Sequence, residues 1–367
     1  MAIVLTCYYR PKAGGFCLRL FRAMQALLVR GHTVHYVSLA PFPIQHPRCI
    51  YHRFPWPPHM ADNLLFWAIF HMAAPWLLGF VALRHQVTHA FAFGTTYAFL
   101  MRPLQWIKAV HLTCFLRSDA LVAHGVKKRA GWLVRLEYWI EGLALHRADV
   151  VGTTPQLVQA VTRRHPRMAV KSRYHLPNDL PSSAGAQNKL RSEKPLRLAM
   201  VGILEEQKNQ AFIIHILKQY QGSDWVLRIY GQGPLEDDLK ALVRGNNLQA
   251  RVRFMGWVPS EHIWPHIDLL LMPSLQEWMP NAVLEAVANK VPVLASDIEG
   301  HRQILPPSHL LALNRPDQWQ AALRQAMTDP QGILPPMRKA QFRFAEYLRF
   351  DWDACAVSAI LHAKKLS

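Results

Sequence analysis

The sequence predicts an α/β fold made of two Rossmann-like β/α domains. Short apolar runs alternate with helix-period segments along the whole chain, the pattern of strand–helix units around parallel sheets. The 367 residues, 51% hydrophobic and 18% charged, suffice for two ordinary cores of about 100–200 residues each. A small, polar stretch, Ser182 to Lys194 (SSAGAQNKLRSEK), reads as a linker. The predicted domains are therefore residues 1–181 and 195–345, followed by a closing segment, 346–367.

The first strand is the apolar run Ile3 to Tyr9. Gly14 and Gly15 interrupt it, and a helix pattern from Phe16 to Val29 stops at Gly31, a favoured C-terminal residue. Thr33 to Ala40 follows as a strand. Leu64 to Leu83 (LLFWAIFHMAAPWLLGFVAL) holds no charged residue in twenty positions, about the length that spans a bilayer. A true span would place strands of one domain on opposite sides of the membrane, which excludes that reading. Two remain: a core helix with a wide apolar face, or a helix lying in the membrane interface with Trp67 and Trp76 at headgroup level. The basic surplus of this half favours the second. His71 reads as a packed or interfacial side chain. Val87 to Phe93 and Ala109 to Phe115 are further strands. Lys127 to His146 is helical, with Lys127, Lys128 and Arg129 at its start and a stripe of Trp132, Leu136, Trp139, Ile140 and Leu143 expected to pack in the core. Asp149 to Thr154 and Tyr174 to Asp179 complete the half.

In the second half, Leu196 to Val201 is a strand, Gly202 to Lys208 a turn and Asn209 to Tyr220 a helix. Trp225 to Tyr230 leads into a glycine turn at Gly231, and Val252 to Met255 into GWVP. Leu269 to Ser274 is a buried strand, and Pro280 suits the first turn of a helix reaching Asn289. The amides from Met279 to Ala282 would be free, and such N–H groups, aided by the helix dipole, suit a phosphate. Glu277 and Glu285 flank that turn as acceptors fitted to the hydroxyls of a sugar and a ribose. A solvated glutamate pair beside an ordinary capped helix is the plain alternative.

Charge separates the halves. Residues 1–180 carry 21 Lys and Arg against 6 Asp and Glu, a net +15 of the chain's +18. Such asymmetry favours an anionic surface or substrate. Nucleic acid is disfavoured, since zinc-finger spacing, RNA-binding aromatic signatures and basic-region heptads are missing. The five cysteines have no ligand spacing and an odd count, which fits a reducing cytoplasm. The opening MAIVLTCYY reads as a strand, not a signal peptide. His32/His35 and His85/His89 lack the third ligand that zinc needs. The Asp351-Trp352-Asp353 triplet sits at a helix start, where the dipole favours carboxylates without metal.

The Glu277-x7-Glu285 spacing, with Met-Pro-Asn inside it and Leu-Glu-Ala at its end, resembles the signature of retaining family 4 glycosyltransferases of the GT-B fold. The resemblance implies two Rossmann-like domains facing across a cleft, with a C-terminal helix crossing back to the N-terminal domain. Glu277 would contact the donor sugar, the Met279, Pro280 and Asn281 backbone the diphosphate, and Glu285 the ribose. VGILEEQKNQ is similar to the family's donor loop: Gly202 and Lys208 are present, and Ile203 stands where an Arg is usual. GQGP supplies Gly231, and the Gly14-Gly15 turn resembles the loop that approaches donor phosphate or acceptor. FLRSDALVAHG resembles the loop near the reacting sugar; Ser118 and Asp119 are kept, Leu116 takes the basic position, and Arg117 either replaces that charge or is a surface arginine. Trp278 replaces a glycine, and Asp179 ends a Pro-Asn-Gly-like hinge, YHLPNDLP. VPVLASDIEGHRQIL and FDWDACAVSAIL also resemble family segments.

The implied activity is transfer of a sugar, with retention, from a nucleotide-sugar to a membrane-associated or lipid-linked glycan acceptor. Glu277, Lys208 and Asp119 are the expected catalytic residues. The nucleotide-sugar is a substrate; neither cofactor nor metal is implied. Trp67, Trp76, Arg117, Lys127, Lys128 and Arg129 would face the acceptor or an anionic membrane, at the inner face of the cytoplasmic membrane. Two other readings are a nucleotide-sugar epimerase or hydrolase, and a binding subunit without turnover, to which Ile203 and Leu116 point.

Overall fold

A computed structural model describes residues 1–11, 15–108, 110–119, 121, 131–166, 170, 172–182, 195–220, 222 and 224–361. Gly14, Lys127, Lys128 and Arg129 lie outside the described residues. Two compact units emerge, Met1–Pro177 with Asp351–Ser367, and Asn178–Phe350. Residues 178–181 and 346–350 thus group with the second unit, and the chain returns to the first only from Asp351.

The first unit runs β1 (Ile3–Cys7), α1 (Gly15–Val29), β2 (Thr33–Ser38), β3 (Cys49–Arg53), α2 (Leu64–Arg84), β4 (His89–Phe93), α3 (Thr95–Lys108), β5 (His111–Leu116), α4 (Gly131–Leu145), β6 (Asp149–Gly152), α5 (Pro155–Arg164) and β7 (Ser172–His175). Its sheet has the order β3-β2-β1-β4-β5-β6-β7, with every pairing parallel. Strands covered on both faces need apolar side chains on both, which explains why β1 and β4 read as continuous runs. Strand β3, CIYHR, is half-buried at the sheet edge, and with only three apolar residues in a row it is too short a run for the sequence reading to mark.

The second unit runs β8 (Leu196–Val201), α6 (Gln210–Leu217), β9 (Trp225–Tyr230), α7 (Glu236–Gly245), β10 (Val252–Gly256), β11 (Leu269–Met272), α8 (Asn281–Ala288), β12 (Val293–Ser296), α9 (Glu299–Arg302), β13 (Leu310–Leu311), α10 (Pro316–Thr328) and α11 (Pro330–Phe344). Its sheet is again all parallel, in the order β10-β9-β8-β11-β12-β13. Trp225, Trp319 and Leu271 are fully buried in its core. In each sheet the order reverses beside the first strand, between β1 and β4 and between β8 and β11. The crevice outside the C-terminal strand ends at such a switch point is where open α/β sheets bind ligands.

The last helix, α12 (Trp352–Leu361), closes the first unit. Arg19 and Arg22 stack on the buried Trp352 ring at 5.0 and 5.2 Å. Asp351 accepts from the Ala354 amide at 2.9 Å and Asp353 pairs with Arg22 at 2.5 Å. These carboxylates serve the helix start and an ion pair.

Two expectations about helix faces are corrected. On α4, Trp132, Leu136 and Trp139 are 62, 45 and 58% exposed, whereas the stripe was expected in the core; of its other members Ile140 is buried and Leu143 half-buried. The helix instead turns Glu141 inward, where Arg164 and His165 hold it. On α2, Phe66, Phe70, Ala74 and Leu78 are buried, while Leu64, Met72, Trp76 and Phe80 are exposed. Both faces are apolar, so α2 is one helix long and apolar enough to cross a membrane, with a third of that window buried. Trp67 leans inward on Tyr9, ring centroids 5.1 Å apart; Trp76 is 82% exposed.

Candidate active site

The loops that follow β8, β9 and β11 converge at the second unit's switch point. Gly202 takes φ +152° and Gly231 φ +127°. A Cβ on Gly231 would lie 1.9 Å from the Gly202 carbonyl oxygen, so the two strand ends can touch only through bare backbone. Gly202 N donates to Tyr230 O at 3.0 Å and Leu204 N to Gln232 O at 3.1 Å. The β8 loop is tied just as closely to the β11 loop: Leu275 N donates to Gln207 O at 2.8 Å, Gln207 Nε2 to Gln276 O at 2.9 Å, and Asn209 Nδ2 to Pro273 O at 3.2 Å.

This bracing brings together Lys208 and Glu277, 69 residues apart in sequence. Lys208 Nζ donates to Glu277 Oε1, with the side chains only 18 and 9% exposed. Ser274 Oγ donates to the same oxygen at 3.2 Å, and Ser296 Oγ donates to Ser274 O at 2.5 Å. An ammonium has three donors and a carboxylate about four lone-pair sites, so both groups retain capacity for a ligand.

Helix α8 starts beside them. Pro280 (φ −71°, ψ 123°) occupies the position before the helix, one residue earlier than expected, and no side chain caps the first turn. Asn178 sets this turn: its Nδ2 donates to Met279 O at 3.1 Å and to Asn281 Oδ1 at 3.2 Å, and its backbone N approaches Met279 Sδ at 3.0 Å. Glu285, one turn into α8, accepts from Ser260 Oγ, which also accepts from Trp264 Nε1 at 2.8 Å. Trp278 is half-buried and Ile203 is 56% exposed.

Gly300 and His301 are site residues the sequence reading passed over. A Cβ on Gly300 would lie 2.3 Å from Glu277 O and 2.5 Å from its carbonyl carbon, so the start of α9 presses on the Glu277 backbone. His301 is fully buried. Its Nδ1 donates to Ser296 O at 2.8 Å, leaving the lone pair on Nε2, which has no hydrogen-bond partner among the described residues. Burial pushes its pKa down to about 4, against the pull of nearby Glu277. The Gly-His pair inside the recognised VPVLASDIEGHRQIL segment was the available signal. A cavity of about 830 Å³ at the other end of α8, lined by Lys290, Arg338, Lys339 and Arg343, contains none of these residues.

The first unit places its candidates differently. Asp119 is 1% exposed, and Arg164 takes both its oxygens at 2.7 and 3.0 Å. Arg164 also reaches Glu141 at 3.1 Å, and His165 joins Glu141 at 2.9 Å. The Asp119 carboxylate belongs to a buried ion-pair network and receives the Leu121 amide at 3.1 Å. Arg117 is half-buried two residues away. Gly15 opens α1, beside an aromatic group at the ends of β1 and β4. Tyr8 meets Tyr97 at 4.8 Å and Phe16 at 5.3 Å, and Phe16 meets Phe93 at 5.8 Å.

The chain is similar to known proteins in sequence and in fold. Residues 195–329 match the family model described as glycosyl transferases group 1. The amylovoran biosynthesis glycosyltransferase AmsK of Erwinia amylovora is 34% identical over 124 residues, 30% of this chain and 30% of AmsK. The UDP-Gal:alpha-D-GlcNAc-diphosphoundecaprenol alpha-1,3-galactosyltransferase of Escherichia coli is 33% identical over 141 residues, 35% of this chain and 36% of that protein. The matched segments thus span about a third of these relatives' length. Sucrose-phosphate synthase from Thermosynechococcus elongatus superimposes with a TM-score of 0.79 over 98% of this chain and 97% of its own, at 18% identity. That likeness is one of fold.

Proposed function

We propose that this GT-B chain, whose residues 195–329 match the family model of the group 1 glycosyl transferases, transfers a sugar from a nucleoside diphosphate donor to a lipid-linked glycan, with retention at the anomeric carbon. The Lys208–Glu277 pair beside the uncapped start of α8 is the observation that carries the reading. The amides of α8 and Lys208 would take the donor diphosphate, Glu277 the sugar hydroxyls and Glu285 the ribose. The bond from anomeric carbon to β-phosphate oxygen breaks, and the acceptor oxygen bonds that carbon on the same face. The acceptor proton passes to the departing phosphate. Charge develops on the leaving oxygen as the bond breaks, and donors already aimed there stabilise it without reorganising. Lysine and backbone then do what a divalent ion does in other transferases, so turnover should survive chelation.

The acceptor class rests on the first unit. Exposed Trp76 and Phe80 of α2, Trp106 of α3 and Trp132 and Trp139 of α4 lie on neighbouring helices in the basic half of the chain. Apolar side chains backed by cations suit an anionic membrane. A cytoplasmic, peripheral placement follows, as does a polyprenyl-diphosphate glycan of the kind named for the Escherichia coli relative. The reading is tested by incubating the purified chain, with EDTA, with labelled UDP-sugars and a polyprenyl-diphosphate-sugar in anionic vesicles. A lengthened lipid-linked glycan of retained configuration is expected, reduced about a hundredfold or more in Lys208→Ala. Nucleotide binding with no product from any sugar would instead favour the binding subunit to which the exposed Ile203 points.

A further inference from the structure

Neither histidine pair recognised along the sequence survives as a pair; the fold takes one member of each and adds a third residue. Among the described residues, His35, His52 and His85 place one ring nitrogen each within 4.8 Å of one another. We propose that these three histidines form a binding site for a divalent transition metal of the zinc class, one that ties the outer edge of the first sheet to the end of α2.

The three ligands come from separate segments that the backbone holds in place. His35 lies on β2 and His52 on β3; the register pairs His35 with Ile50 and His52 with Val37, so the two rings sit diagonally across adjacent strands. Their planes are stacked at 14°, and His35 Nδ1 is 2.9 Å from His52 Nε2. His85 caps the C-terminus of α2, its amide bonded to Val81 O at 3.0 Å, and the chain turns away at Gln86 with φ +51°. The His85 ring lies 4.3 Å from His35 and 5.4 Å from His52, centroid to centroid.

The dimensions suit a tetrahedral ion. Zinc–nitrogen bonds of about 2.0–2.1 Å put ligand nitrogens about 3.3 Å apart. The close 2.9 Å pair must open slightly and the wider separations, at most 4.8 Å, must close by up to about 1.5 Å. His35 is 2% exposed and its strand is fixed on both sides, whereas His52 and His85 are half-exposed, so their side-chain torsions can make that adjustment. The same exposure lets water complete the coordination. Among the described residues the only ring hydrogen bond of the trio is the one between His35 and His52. Three imidazoles without a carboxylate or main-chain acceptor are a borderline, nitrogen-only donor set, which suits zinc, cobalt, nickel or copper over magnesium or calcium. The metal would be structural, closing a loop from β2 through β3 to the last turn of the apolar helix.

The test uses the full chain with any affinity tag removed. Titration with Co²⁺ should give one equivalent bound with the intense visible bands of a four-coordinate ion, displaced by Zn²⁺ and untouched by Mg²⁺. His52→Ala and His85→Ala should each weaken binding by more than the roughly 10–100-fold that loss of an outer-shell partner costs. Neither variant's melting temperature should rise with metal, while that of the parent and of His59→Ala, an exposed histidine elsewhere, should. Variants that fold yet bind Co²⁺ as the parent does would place the metal elsewhere. A folded parent showing only weak, six-coordinate bands would remove the site altogether.

Discussion

Gly300→Ala isolates the geometry of Glu277 from its chemistry. Gly300 does not need a left-handed backbone, so alanine is accommodated by the chain itself and the perturbation is purely steric. The added Cβ would stand 2.3 Å from Glu277 O, 2.5 Å from Glu277 C and 2.9 Å from Trp278 C. Carbon and carbonyl oxygen approach to about 3.3 Å, so the Glu277–Trp278 peptide must move by about 1 Å. Overpacking of this kind costs about 1–3 kcal/mol of stability. The larger effect falls on rate, because displacing a substrate-positioning group by 1 Å can cost about a hundredfold. The assay is the initial rate of sugar transfer from labelled donor, alongside thermal melting, for Gly300→Ala and for Gly245→Ala, whose new Cβ meets no atom within 4 Å. The control should keep its rate. A Gly300→Ala rate within about twofold of the parent would show that Glu277 does not depend on the α9 contact and would refute the argument.

Ile203→Arg should raise transfer. The side chain is 56% exposed, so the larger residue costs little, and one donor on a developing anion is worth about 10²–10³ when fully positioned; about tenfold is expected of an unrefined contact, and an unchanged rate and nucleotide affinity would mean that the loop does not face the phosphates. Trp76→Ser with Phe80→Ser should lower co-sedimentation with anionic vesicles about tenfold or more while leaving the melting temperature unchanged, since these side chains are 82 and 60% exposed; undiminished sedimentation would rule out α2 as the contact. His301 supplies a pH prediction. Its folded pKa, near 4, lies below the unfolded value of about 6.5, so the unfolded chain binds the extra proton between them. The stability from this group is complete above pH 6.5 and is lost as pH falls towards 4, by on the order of 1–3 kcal/mol. His301→Asn should flatten that part of the profile, with His309, also held near 4 by burial, accounting for part of what remains; an identical acid slope in the variant would count against it.

The second unit was largely legible because its information is local. LLLM is a strand by its own composition, GQGP a turn by its own glycines, and Glu277 and Glu285 are placed by one helix and the loop before it. What escaped depends on partners distant in sequence. Asp119 resembles any loop aspartate until Arg164, 45 residues on, fills both its oxygens. The α4 stripe had the right period, but period alone does not say which side chains point inward; Glu141, held by Arg164 and His165, is buried together with Ile140, while Trp132, Leu136 and Trp139 face outward. His35 and His52 are 17 residues apart and meet only because β2 and β3 pair in parallel.

The same distinction bears on the first unit's surface. A buried stripe would have needed no partner, but three helices in contact, α2, α3 and α4, all present large apolar side chains outward, among them Trp76, Phe80, Trp106, Trp132 and Trp139. The half that carries them holds only 6 acidic residues against 21 basic ones. Tryptophans in so basic a half of the chain would suit the bilayer interface proposed above, with the rings at headgroup depth and the cations against anionic lipid. The exposed face that defeated the core assignment of α4 is therefore the strongest physical argument for an acceptor held in a membrane.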